Sequence, residues 1–242
     1  MRSGRRENLQ LQEAVSHFQR LLNPHNRPPS IRSINGHLKS IANTNHPDRY
    51  STVISLFNRL KRTRDPSVSP NVYTFGLVID CCCRMGRVDL GFCALGQSLR
   101  AGFGANSIMF GSLIKGLCTR KQPAIAVKVL AKMPRIGCAP SVIVYSTLID
   151  YLCNNGNTWK GLELCHQMAR DGSCCKPDVV TYTTLIRGFC RESDIPMALK
   201  TFKEMVSNGV TPSIFALNIL IDNVLKTGPD RPVRPVQPRT GP

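Results

Sequence analysis

The chain has 242 residues, 42% of them hydrophobic, with 32 lysines and arginines against 15 aspartates and glutamates, a formal net charge of +17. A chain of this size and apolarity buries a sizeable core. It holds no apolar run near the roughly 20 residues of a membrane helix, no apolar segment near Met1 of the kind that directs secretion, and no Asn-x-Ser/Thr acceptor. Its 11 cysteines are an odd number, a poor fit to a complete disulfide framework, so they read as reduced thiols. The cationic excess attracts polyanions: nucleic acid or an acidic membrane surface is the first partner to weigh, beside the plainer reading of surplus surface lysine and arginine.

Residues 1–30 open with MRSGRRENLQLQEAVSHFQRLL. The segment is basic, Arg-rich and partly amphipathic, as organelle presequences are, although Glu7 and Glu13 depart from their acid-poor pattern. Residues 31–71 read as a degenerate leading repeat. Ile34 and Asn35 open it, Val53, Leu56, Phe57 and Leu60 supply a second helix, and VSPN at 68–71 closes it.

From there the chain repeats. Cys83, Cys118, Cys153 and Cys190 stand 35, 35 and 37 residues apart, and Gly102, Gly137, Gly172 and Gly209 keep the same step. So do the pairs Val78-Ile79, Leu113-Ile114, Leu148-Ile149, Leu185-Ile186 and Leu220-Ile221. Three residue classes sharing one irregular spacing define units 72–106, 107–141, 142–178 and 179–213. The two extra residues of the third unit fall in GSCCKPD at 172–178, where a surface turn tolerates insertion.

Each unit reads as two helices. In 179–213, Val180, Leu185, Ile186, Phe189 and Cys190 form the stripe of the first, and Asp194 caps the second. The second is expected to bury Ala198, Leu199, Phe202, Met205 and Val206 and to stop at Gly209, with Pro212 barring continuation. Gly91, Ala126, Gly161 and Ala198 recur early in the second helices, where small side chains let helices approach. A pair of this size cannot bury its apolar faces alone, so the pairs stack: an all-α, α-solenoid fold of 35-residue helix-turn-helix repeats. In the triplet Cys81-Cys82-Cys83, the register makes Cys83 a small buried core residue. Cys81 and Cys82 become packing residues, with Cys81 on the more exposed side.

Residues 214–228 begin a fifth unit that stops after one helix, leaving LNILIDNVL without a second helix. That open edge would seek a protein partner or aggregate, and it suggests a truncated array. The remaining stretch, 229–242, is a basic, Pro-rich tail expected to be extended or disordered. Catalytic chemistry is not visible. FGSLIKG at 110–116 lacks the form of a phosphate loop, and no C-x-x-C pair begins a zinc site. His17, His25, His37, His46 and His166 fall outside any ligand spacing. No enzyme activity, metal or cofactor is expected.

VVTYTTLI at 179–186, the LIxGxC rhythm and the GVTPS and KPD exits resemble pentatricopeptide repeat (PPR) proteins. TFGLVIDCCCRMGRVDLGF at 74–92 and VIVYSTLIDYLC at 142–153 are similar to the P-class, restorer-of-fertility-like members from plants. The resemblance covers roughly 72–228. It implies a right-handed superhelix that binds single-stranded RNA, one base per repeat, and a non-catalytic role on organellar transcripts, in mitochondria rather than chloroplasts.

In that family the fifth and last residues of a repeat read the base. Here the fifth residues are Gly76, Gly111, Ser146, Thr183 and Asn218, and the last are Asn106, Ser141, Asp178 and Ser213. The resemblance makes Ser146 with Asp178 a guanine reader and leans Thr183 with Ser213 toward purine. Asn218, and Asn35 with Asn71, lean toward pyrimidine. Gly76 and Gly111 offer a base no side chain. Second residues flank bases, here Tyr73, Ile108, Ile143, Val180 and Phe215. The residue after the recurring cysteine faces phosphate, here Arg84, Arg191 and Lys226, whereas Thr119 and Asn154 break the pattern.

The plainer readings stand beside these: polar residues at helix starts as caps, and apolar ones as packing. The rival fold, a tetratricopeptide-type interaction scaffold, has a 34-residue period and a Trp-containing signature, whereas this chain keeps 35 and has only Trp159.

Overall fold

The structure, a computed structural model, describes residues 2–21, 29–63, 68–170 and 175–227. Among these the chain is helical throughout, with no strand. The helices group into two packed units, Met1–Pro140 and Ser141–Pro242.

The first unit contains α1 (Arg2–Leu21), α2 (Ile31–Ala42), α3 (Arg49–Leu60), α4 (Val72–Arg84), α5 (Val88–Arg100), α6 (Ser107–Thr119) and α7 (Pro123–Lys132). The second contains α8 (Val142–Asn154), α9 (Thr158–Arg170), α10 (Val179–Arg191), α11 (Ile195–Ser207) and α12 (Ile214–Thr227). Helices α4, α6, α8, α10 and α12 begin on the first residues of the sequence repeats. Each is entered through the last residue of the repeat before it. Asn71, Asn106 and Asp178 are extended N-caps whose side chains accept from the backbone N–H three residues on. The hairpin inside each repeat turns through one left-handed residue at a constant position: Gly86, Lys121, Gly156 and Ser193, with φ between 56° and 72°. This is the all-α helical-repeat solenoid architecture.

In the first unit, α1 is part of the core. Leu11 and Phe18 are buried with Ile34, Leu38 and Ile41 of α2 and with Val53, Leu56 and Leu60 of α3. The basic N-terminal segment therefore folds onto the leading repeat through its apolar stripe. Cys81 belongs to the same cluster and is fully buried, not the exposed member of its triplet. The side of α4 that carries it is covered by the leading repeat, whose α3 packs on α4.

In each unit one pair of successive first helices, α4 with α6 and α8 with α10, touches through glycine. A Cβ on Gly116 would lie 2.9 Å from Cys83 Cβ, and one on Gly188 would lie 3.0 Å from Cys153 Cβ. The same cysteines face the second helix of their own repeat, where a Cβ on Gly91 or Gly161 would meet the thiol sulfur at 3.3 or 3.2 Å. Each of these cysteines thus fills a slot between two glycines, where a larger side chain would force the helices apart.

One expected stripe is rotated. In α11, Leu199 and Val206 are exposed, and the buried residues are Ala198, Thr201 and Met205. Thr201 satisfies its hydroxyl on Met197 O at 2.8 Å, which lets a polar residue take the core position. The tail at 229–242 lies outside the described residues.

Candidate nucleic-acid interface

The first helix of each repeat presents its second, fifth, ninth and thirteenth residues along one stripe, since steps of three and four keep to one helical face. In the first unit, Tyr73 and Ile108 are 78% and 71% exposed; in the second, Ile143, Val180 and Phe215 are 75%, 64% and 58% exposed. From the repeat at 72 onward, every second position therefore holds a large apolar or aromatic side chain facing solvent. Packing does not account for them: positions four and eight of the same helices, such as Phe75 and Ile79 or Tyr182 and Ile186, are the buried ones.

Apart from Asn218, the fifth positions lie deeper. Ser146 is half-buried, and its hydroxyl meets Thr181 Oγ1 at 3.3 Å. Asp178, the last residue of the same repeat, accepts on one oxygen from the Thr181 amide at 2.9 Å and the Thr181 hydroxyl at 2.8 Å. Fifth and last positions are thus brought together through a third residue. The leading repeat has the same arrangement: Asn35 Nδ2 donates to Asn71 Oδ1 at 3.1 Å, and the Thr74 hydroxyl donates to Asn35 Oδ1 at 2.7 Å. Thr183 differs, because it is buried and donates to Val179 O at 2.6 Å. Asn106 caps Met109 N at 2.9 Å, and Ser213 Oγ accepts from Ala216 N at 3.2 Å. Gly76 is half-buried in α4 and Gly111 in α6; Ser141 is the N-cap of α8, and Asn218 is exposed on α12.

Thr74 and Thr181 were not singled out from the sequence. Threonine inside a run of apolar, β-branched residues reads as filler, and only the repeat register marks both as the third residue of a repeat.

Charge follows the stripe. Arg84 donates to Asp80 at 2.7 Å, one helical turn away. In the second unit, Arg187 reaches Asp150 at 3.1 Å and Arg191 reaches Asn154 Oδ1 at 2.6 Å, tying α10 to α8. Lys226 is exposed on α12. The cations assigned to phosphate each occupy the thirteenth residue of their own first helix, with Arg84 already beside a carboxylate that lowers its net pull on an anion. Across the chain, 12 basic and 4 acidic residues fall in 1–71, 16 and 9 in 72–213, and 4 and 2 in 214–242.

The recurring thiols are not nucleophiles. Burial pushes Cys83 and Cys153 up to about 12, and Cys118 and Cys190 up to about 11. Among the described cysteines, the four of the register and Cys81 and Cys82 are buried thiols outside any disulfide, and Cys93 is exposed. Among the described residues no group of three or more His, Cys, Asp or Glu could hold a metal ion, and no helix is long and apolar enough to cross a membrane.

The chain matches the model of the PPR repeat family over residues 105–154, 140–191 and 177–226, and the PPR repeat model over 73–103. It is 38% identical over 171 residues to Protein Rf1, mitochondrial, of Oryza sativa subsp. indica, covering 70% of this chain and 21% of that protein. It is 29% identical over 106 residues to a putative pentatricopeptide repeat-containing mitochondrial protein of Arabidopsis thaliana, covering 43% of this chain and 16% of that one. The chain thus spans about a fifth of the length of these curated relatives. Among solved structures it resembles the maize pentatricopeptide repeat protein PPR10 in complex with an 18-nt psaJ RNA element, with a TM-score of 0.61, 20% identity and coverage of 91% of this chain and 31% of that one. It also resembles the PPR domain of Arabidopsis thaliana protein-only RNase P 1 in complex with tRNA, with a TM-score of 0.60, 13% identity and coverage of 79% and 97%.

Proposed function

The chain belongs to the pentatricopeptide repeat family, as a P-class, restorer-of-fertility-like member, and we propose that it binds single-stranded RNA along the stripe of its first helices. The observation that carries this reading is the recurrence, in register, of five solvent-facing second-position side chains from Tyr73 to Phe215, each three residues from a fifth position. Bases stacked on such side chains gain roughly 1–3 kcal/mol each. Cations along the rim supply a salt-sensitive phosphate contribution without sequence information.

The role is non-catalytic: occupation of a transcript segment alters its cleavage, stability or translation. Mitochondria are the favoured compartment, because both curated relatives are mitochondrial proteins. Four full repeats and a partial fifth hold about four or five bases, so affinity and selectivity are modest. A second reading, contact with a protein partner through α12, is favoured by the 76% exposure of Leu225 and the 53% exposure of Ile221, at positions that the complete repeats bury.

The test is binding of the purified chain to a pool of short single-stranded RNAs at two salt concentrations. Binding no better than that of an unrelated basic protein would refute the RNA reading. Asp178→Asn sharpens it. Asparagine is as good an N-cap as aspartate, so the fold is kept, while the preference for guanine at one position weakens and adenine is better tolerated. An unchanged profile would show that Asp178 caps a helix and does not read.

A further inference from the structure

Two polar pairs are tied by a hydroxyl from the following repeat, and the direction of the hydrogen bonds differs between them. Thr181 has one hydroxyl proton, and the Asp178 carboxylate at 2.8 Å is its strongest acceptor. Thr181 therefore accepts from Ser146, whose own proton points inward and whose lone pairs face outward. Asp178 spends Oδ1 on Thr181 and keeps Oδ2. What the pair offers a base is two acceptors.

In the leading repeat the polarity is reversed. Asn35 Oδ1 is taken by the Thr74 hydroxyl, and Asn71 Oδ1 by Asn35 Nδ2 and the Thr74 amide. Asn71 Oδ1 is saturated and Asn35 Oδ1 is engaged by the hydroxyl, while the amide groups keep free N–H donors: one on Asn35 Nδ2 and two on Asn71 Nδ2. Thr74 and Thr181 are themselves buried, at 0% and 1% exposure, so they cannot touch a base and can act only through the pair. The remaining repeats carry Met109, Val144 and Ala216 at the corresponding position, none with a hydroxyl.

We propose that Thr74 and Thr181 are positioning residues for base selection: each locks the fifth and last residues of the preceding repeat and fixes which of their atoms face the RNA. This rests on the RNA-binding reading above. The acceptor pair Ser146/Asp178 suits guanine, whose N1–H and N2–H lie side by side, and opposes adenine, whose N1 is an acceptor. The donor pair Asn35/Asn71 suits the O2 and N3 acceptors of cytosine or the carbonyls of uracil. Repeats without the hydroxyl hold RNA with little choice of base.

The experiment is selection from a pool of short randomised single-stranded RNAs by the full chain and by Thr181→Val, Thr181→Ser and Thr74→Val. Valine keeps the shape and the amide cap but removes the hydroxyl. Thr181→Val is expected to bind the pool within about 3-fold of wild type but to lose roughly 3- to 10-fold of its guanine-over-adenine ratio, the size of one hydrogen bond. Thr181→Ser restores the ratio. Thr74→Val relaxes the pyrimidine position instead, and tests the idea independently should the other variant fold poorly. A wild-type preference that survives both valine variants overturns the proposal while leaving the RNA reading intact. A flat wild-type profile on bound RNA likewise overturns the proposal alone, whereas binding of the pool no better than that of an unrelated basic protein removes both.

Discussion

Two glycine-to-alanine changes, one in each packed unit, should move stability in opposite directions. In the middle of α2, a Cβ on Gly36 meets nothing within 4 Å. Alanine there should gain about 0.5–1 kcal/mol, because glycine is the poorer helix former. In α10 the same intrinsic gain is available at Gly188, but the Cβ would sit 2.5 Å from Thr158 Oγ1 and 3.0 Å from Cys153 Cβ. Thr158 cannot step aside cheaply. It is fully buried, and both its hydroxyl and its amide donate to Glu192 Oε1, at 2.6 and 3.0 Å. Displacing it gives up bonds to a charged acceptor worth about 1.5–3 kcal/mol; keeping it means prying α10 from α8 at an overpacking cost of about 1–3 kcal/mol. After the propensity gain is subtracted, Gly188→Ala should lose about 0.5–2 kcal/mol.

The assay is urea denaturation followed at Trp159, the only tryptophan, which lies edge-on to Phe189 of α10 with ring centroids 5.5 Å apart and so reports on the second unit. With a slope of about 1–3 kcal/mol/M, the midpoint should fall by roughly 1 M. Gly36→Ala should raise the midpoint of the first unit, followed by circular dichroism. A Gly188→Ala chain as stable as wild type would refute the close-approach reasoning.

The register thiols should resist a water-soluble disulfide reagent in the folded chain, while exposed Cys93 reacts at once; urea should release the rest. Because burial holds Cys83 and Cys153 at about 12 while an unfolded thiol titrates near 9, the folded state keeps protons that the unfolded state loses. The stability these groups contribute is therefore fully present below pH ~9 and declines as pH rises from there toward about 12; a midpoint rising across that window would contradict their burial. Tyr73→Ala and Phe215→Ala should each weaken RNA binding by roughly 1–3 kcal/mol. Thermal stability should hardly move, since both side chains face solvent. Leu225→Lys should reduce self-association of the chain in sedimentation velocity without changing its helical signal, and equal association would show that the α12 edge is not adhesive.

The first helices were legible to the residue because the sequence punctuates them twice, with a cap before and a left-handed turn after. The second helices were less so. In α11 Ala198 and Met205 are buried as expected, but the expected Leu199, Phe202 and Val206 are not, and Thr201 takes the remaining core position. A threonine that can bury its hydroxyl against its own helix is indistinguishable by hydropathy from one that faces water. The same ambiguity hid Thr74 and Thr181, whose roles depend on partners 39 and 35 residues away. Cys81 was misplaced because its environment is set by the leading repeat, the unit with the weakest pattern.

The slot that holds Cys83 and Cys153 has a consequence for exchanging repeats between chains. The residues that face RNA can change without disturbing the joint beneath them. The joint itself is a matched set, a cysteine in one repeat and the glycines at 91 and 116, or at 161 and 188, that leave it room. A transplanted repeat with a bulkier residue at the glycine position of its first helix would carry every residue that faces RNA and still fail to seat on the repeat before it. Such an array has two grammars: an outward one in which words can be substituted, and an inward one that decides which word can follow which.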